Sequence, residues 1–267
     1  VNLIFQTNFP AGKYSELRHD RIISTLEALQ QRIGERFPGS GLSQVAAELR
    51  SVATAIVKLS EQLRRPLWVV RLVTIAAITS LIGFSIWLAI LTFHLVPARE
   101  SGLMDLLQGI ESAINELIFL SLTILFFATL ENRLKRRAAL GSLHRLRSLA
   151  HVVDMHQLTK DPAYLLTEHL PTAASPERLL TAYELTRYLD YCSELLAIIS
   201  KLAALHVQNL QDSQVMDTVN DVENLSQGLA GKIWQKIMIL DMASPAATSD
   251  AASTKSSAGA TKSAHPK

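Results

Sequence analysis

Apolar residues recur along this chain in three patterns, and each predicts a different kind of helix. From Leu72 to Phe93 there is no Asp, Glu, Lys, Arg or His over 22 residues. A bilayer's hydrocarbon core is about 30 Å thick and a helix rises about 1.5 Å per residue, so roughly 20 apolar residues span it. Backbone polar groups in lipid must satisfy one another, which makes such a span helical. The alternative is a buried core helix of a large soluble protein, which has the same composition. A signal peptide does not fit, because more than sixty residues with helical patterning precede the run. The second pattern is a shorter apolar run, Leu117 to Leu130, with 14 residues free of charge. It spans a membrane only if 113–116 are counted in, and beside the first run it reads as the return helix of a hairpin.

The third pattern is amphipathic. Val45, Leu49, Val52, Ile56, Leu59 and Leu63 are spaced 4, 3, 4, 3, 4, an a/d stripe over nearly three heptads. Such a seam packs at a shallow angle against another helix, of the same chain or of a second copy. A helix of similar type is expected from about Ser15 to Phe37 and is stopped by Pro38-Gly39-Ser40-Gly41, with Ser43 as N-cap of the seam helix. After the hairpin a basic helix carries Leu140, Leu143, Leu146, Ala150 and Val153 inward and ends at Thr159-Lys160-Asp161-Pro162. Ser175-Pro176-Glu177 is a start signal for a helix reaching Asn209, because serine caps, proline suits the first turn and an acid suits the positive dipole end. A last helix covers about Ser213 to Leu240. From Ala243 onward Ala, Ser, Thr, Lys and Pro replace the large apolar residues, a composition that predicts disorder.

No sustained β alternation appears, so the fold class is all-α: a two-span transmembrane hairpin with a helical bundle built from both flanks. The expected divisions are a flexible leader at 1–13, helices over 14–66, and the hairpin over 67–131 with spans at about 67–96 and 113–131. A helical domain over 132–242 and the tail at 243–267 complete the chain. The connection near 97–112 is apolar for a loop, with Leu103, Met104, Leu106, Leu107 and Ile110, and reads as a small amphipathic turn in the interface.

Charge adds orientation. The formal net charge of +2 is too small to imply a nucleic-acid partner. Arg64, Arg65, Trp68 and Arg71 precede the first span, and Arg133, Lys135, Arg136 and Arg137 follow the second. Basic groups and tryptophan suit the headgroup region, and the basic excess on the outer flanks places both termini in the cytoplasm of a bacterial plasma membrane. Cys192 is the only cysteine, so neither an intramolecular disulfide nor a cysteine zinc site can form.

Candidate chemistry is thin. His144, Arg147, His151 and Asp154 are spaced 3, 4, 3 on one helix face, with His156 beyond. His144 and His151 lie about 10 Å apart along the axis, so a shared metal ion needs a ligand from another helix. Glu116 stands at the outer edge of the second span, either hydrated at the interface or lining a polar path. Glu131, with Arg133 and Lys135 close by, calls for no special role. Trp234 and two lysines mark an amphipathic segment, Lys232 to Leu240, that suits bundle packing or a membrane surface. No phosphate-binding loop, dinucleotide fingerprint or zinc-protease motif is present, and Cys192 and Ser193 have no base at a known spacing.

These readings point to a non-enzymatic, cofactor-free integral membrane protein. It would be an anchored interaction or signalling module that self-associates and meets a cytoplasmic protein partner. In outline the arrangement resembles prokaryotic two-span effector and signalling membrane proteins, a likeness of architecture that carries over no residue. An oligomeric pore lined near Glu116 is the alternative, and a metal-dependent membrane protein using His144, His151 and Asp154 is a second.

Overall fold

The computed structural model describes residues 16–95, 103–162 and 180–260. They form six helices and, among the described residues, no strand: α1 (His19–Arg36), α2 (Gly41–Arg64), α3 (Trp68–Leu95), α4 (Leu103–Leu158), α5 (Ala182–Asn209) and α6 (Ser213–Ala260). The chain divides into two compact units, one of Val1–Ser60 with Leu140–Lys267 and one of Glu61–Ala139.

The first unit is built on α5. It buries Leu185, Leu189, Cys192, Leu195, Leu196, Ile199, Leu202 and His206 on faces that together surround most of the helix. A helix apolar nearly all round belongs in the middle of a bundle, and α5 packs against both α1 and α6. α1 contributes Ile22, Leu26, Leu29 and Ile33, a stripe at helical spacing. α6 contributes Val215, Val219, Val222, Ser226, Leu229, Ile233, Ile237 and Leu240, a longer a/d-like stripe interrupted by one hydroxyl. In α2 the seam residues Val45, Leu49, Val52, Ile56 and Leu63 are buried within the single chain, while Leu59 is half-buried and Ala46, Ala53 and Ser60 are buried as well. Small residues seven apart widen the stripe.

Several boundaries differ from expectation. The Ser43 amide donates to Ser40 Oγ at 3.2 Å, so Ser40 rather than Ser43 acts at the start of α2. Gly39 has φ 70°, the left-handed turn conformation that glycine adopts without penalty. The start signal at Ser175 lies outside the described residues, and α5 begins at Ala182 instead. There Thr181 Oγ1 accepts from the Glu184 amide while the Glu184 side chain accepts from the Thr181 amide, a reciprocal capping box. The Asp212 side chain accepts from the Gln214 and Val215 amides at the start of α6. α6 then continues to Ala260, where composition predicts disorder from Ala243; frequent alanine, the best helix former, favours the continuation.

The second unit holds α3 and the apolar part of α4. α4 starts at Leu103, so the expected interfacial turn before residue 112 is instead the first part of a long helix. Both helices are long and apolar enough to cross a membrane, and their most apolar 18-residue windows are 0% buried. Phe84, Trp87, Leu117, Phe119, Leu122 and Leu125 are all exposed.

Candidate functional site

In the second unit, one carboxylate gathers groups from both apolar helices. Glu131 in α4 receives Arg71 Nε at 2.8 Å on Oε2, and Lys135 Nζ at 3.0 Å and the Leu67 amide at 3.3 Å on Oε1. Lys135 follows one helical turn later, so α4 supplies that contact locally, while Arg71 comes from the first turn of α3 and Leu67 from the residue just before it. Glu131 and Lys135 side chains are only 14% and 12% exposed, against 52% for Arg71. A carboxylate so shielded is stable as an anion only because two cations and an N–H satisfy it. Glu131, which its sequence neighbours explain as an ordinary surface acid, is thus the centre of an inter-helix clamp. Its partner in α3 lies 60 residues away.

The remaining interface candidates flank Leu67, Arg71, Glu131 and Lys135 along the chain. Trp68 is 68% exposed, and Arg64, Arg65, Arg133 and Arg137 are exposed too. The Arg133 guanidinium lies 5.5 Å from the Phe126 ring centroid, a cation–π contact. Arg136 is half-buried. Glu116 is exposed and forms no ion pair among the described residues.

The first unit places the histidine candidates separately. His144 and His151 are exposed, and among the described residues no group of three or more His, Cys, Asp or Glu side chains could hold a metal ion. Asp154 Oδ1 instead accepts from Gln157 Nε2 at 2.6 Å. Gln157 is 2% exposed, and both its backbone oxygen and its Oε1 accept from Lys236 Nζ, at 2.9 and 2.7 Å. The Gln157 carbonyl, in the last turn of α4, also accepts from the Lys160 amide at 3.1 Å, so Lys236 adds a second bond that ties α6 to α4. Burial pulls the Lys236 ammonium below its ordinary value, opposed by Asp161 and Asp154. His156 packs its ring over Gly41, where any Cβ would overlap it.

Two further groups of this unit are buried, and of these only His206 carries no signal in the sequence. His206 is 1% exposed. Its Nδ1 donates to the Leu202 and Ala203 carbonyls, both at 3.2 Å, which leaves Nε2 to accept from Ser142 Oγ at 2.6 Å. Burial holds its pKa below the ordinary 6.5 and so favours the neutral ring, while the two carbonyls at Nδ1 select the tautomer. Cys192 is fully buried, and burial pushes its thiol up to about 12, so it is neither accessible nor ionised as a nucleophile.

At the other end of α5 an arginine–tyrosine cluster joins α1 to α5. Arg32 forms a two-point contact with Glu194 at 2.7 and 3.4 Å. Phe37 meets Tyr188 edge-on at 5.3 Å, and Arg187 lies 5.2 Å from the Tyr191 ring centroid while bonding Asp190 at 2.8 Å. These contacts fix the orientation of α1 on α5. They bring together no nucleophile and base in catalytic relation.

Compared with known proteins, the chain matches no family model, no curated protein and no solved structure.

Proposed function

We propose that the chain is a non-enzymatic integral membrane protein in which α3 and the apolar part of α4 anchor a helical interaction or signalling module. The observation that carries this reading is the exposure of both apolar windows, with 0% of either buried. A core helix of a soluble protein hides such a surface; an exposed one on this scale needs lipid or another apolar partner to cover it. The Glu131 clamp supports a hairpin, since it ties the start of α3 to the end of the apolar run of α4, where both would meet the same interface. Arg64, Arg65 and the basic group after Glu131 support a cytoplasmic side for that interface by the positive-inside rule. The bundle, with its own buried core, would present the partner-binding surface and self-associate.

The test combines extraction with topology. The full chain should stay in the membrane pellet after alkaline carbonate washing. A Ser101→Cys variant, carrying Cys192→Ala, should react with an impermeant thiol reagent on intact cells. Release into the supernatant would overturn the anchor. Labelling only after lysis would overturn the orientation.

A further inference from the structure

We propose that the cleft between the start of α1 and the middle of α5 binds a single-chain anionic amphiphile, a long-chain fatty acid. The inference does not rest on the membrane reading, because the cleft lies wholly within the helical unit built from both flanks.

The two helices run antiparallel here: Phe37 of α1 meets Tyr188 of α5, and Arg32 meets Glu194. Towards the start of α1 they leave a cavity of about 710 Å³. That volume falls within the roughly 300–1,000 Å³ of small-molecule sites. Its apolar lining comes from Leu17, Ile22, Ala197 and Ile198. Ile22 and Ile198 are buried and make the floor, whereas Leu17 is 41% exposed at the mouth. The small side chain of Ala197, exposed on α5, keeps the space open. An alkyl chain laid in this cleft would cover apolar surface that the described residues leave uncovered.

The polar rim selects the head group. Arg18, Arg21 and Lys201 stand on it with Glu16, Glu194 and Thr25. Arg18 is engaged with Asp20 at 3.6 Å, and Glu194 with Arg32 at 2.7 Å. Arg21 and Lys201 hold no carboxylate among the described residues; Lys201 Nζ only folds back to its own Ala197 carbonyl at 3.4 Å. Two uncommitted cations, one from each helix, thus face one uncommitted carboxylate, Glu16. A ligand carboxylate between Arg21 and Lys201 would complete the charge, while the Thr25 hydroxyl already donates to the Arg21 carbonyl at 2.7 Å.

The experiment uses the full chain in phosphatidylcholine nanodiscs with a photoactivatable palmitate analogue, and maps cross-links by peptide mass spectrometry. Labelling of peptides containing residues 16–25 and 194–201 should saturate and be competed by unlabelled palmitate but not by hexadecanol. Arg21→Glu with Lys201→Glu should reduce it about tenfold, as expected for losing a charge-assisted contact. Ala197→Trp should abolish it by filling the cleft. Since these positions are exposed, unchanged circular dichroism melting would establish that folding is intact. Labelling of α3 and α4 in the same sample reports bilayer insertion separately. Equal competition by hexadecanol, or cleft labelling unchanged in both variants, would overturn the proposal. So would cleft labelling that appears only after residues 1–15 are removed, which would assign the cleft to the chain's own leader.

Discussion

Arg71 Nε and Glu131 Oε2 lie 2.8 Å apart, joining two apolar helices through the one carboxylate that both shield. Sequence places Arg71 beside a tryptophan and Glu131 beside a lysine and an arginine, and each looks like ordinary interface decoration. Their pairing alters the meaning of both. The carboxylate, shared with Lys135 and the Leu67 amide, ties the start of α3 to α4 at this point.

Glu131→Gln keeps the shape of the side chain but leaves Arg71 and Lys135 without their counter-charge. Hydrogen bonds to charged groups are worth about 1.5–3 kcal/mol, and that is the expected loss in stability. Thermal unfolding of the full chain in detergent measures it. A melting curve unchanged from wild type would mean that the clamp holds nothing.

Ser226 tests the bundle from the opposite direction. It is 3% exposed within the α6 stripe, and its Oγ has no hydrogen-bond partner among the described residues. Removing an unsatisfied buried hydroxyl without changing the packing relieves a desolvation cost of about 1–3 kcal/mol. Ser226→Ala should therefore leave stability unchanged or raise it, as denaturant unfolding would show. A clear loss would reveal a partner for this hydroxyl.

Stability should also depend on pH through His206. Its pKa is held below 6.5 by burial, so the unfolded chain binds the proton more readily. Stability is then complete above about 6.5 and falls as pH drops from there towards the folded value. Melting temperatures between pH 7.5 and 5 should decline in the wild type and decline less steeply in His206→Leu. Parallel profiles would remove His206 as the source.

What could be read from the sequence is what local pattern controls. The charge-free run at Leu72–Phe93 falls within α3, and the apolar spacing of α1, α2 and α6 matches their buried faces, because periodicity and burial are one property of a helix. Leu59 departs from the seam because Ala53 and Ser60, too small to register as apolar markers, sit at the packed positions. Helix starts are hard to place from sequence where two signals compete. Ser40 and Ser43 are both capping residues, and Thr181-Ala-Tyr-Glu184 is a capping box that Ser175-Pro176 overshadows. Contacts between distant segments were not legible at all. Nothing near Gln157 announces Lys236, and nothing near Ser142 announces His206. The histidine spacing suggested a shared face, but a face facing solvent assembles nothing.

Glu116 and Glu131 bracket the apolar run of α4 and lead to the last prediction. Glu131 is enclosed by three partners, while Glu116 is exposed on the single chain with no ion pair among the described residues. If the hairpin is an anchor, Glu116→Leu only lengthens an apolar run and should be tolerated, whereas Glu131→Leu strands two cations and should not. If several hairpins instead surround an aqueous path, a ring of Glu116 carboxylates at its mouth would concentrate cations. Glu116→Gln would then weaken cation flux without unfolding the protein. Proteoliposomes carrying wild type and each variant separate the two. The anchor reading expects no ion flux from any of them and wild-type melting for Glu116→Leu. Cation-selective flux in the wild type that Glu116→Gln reduces would overturn it in favour of a pore.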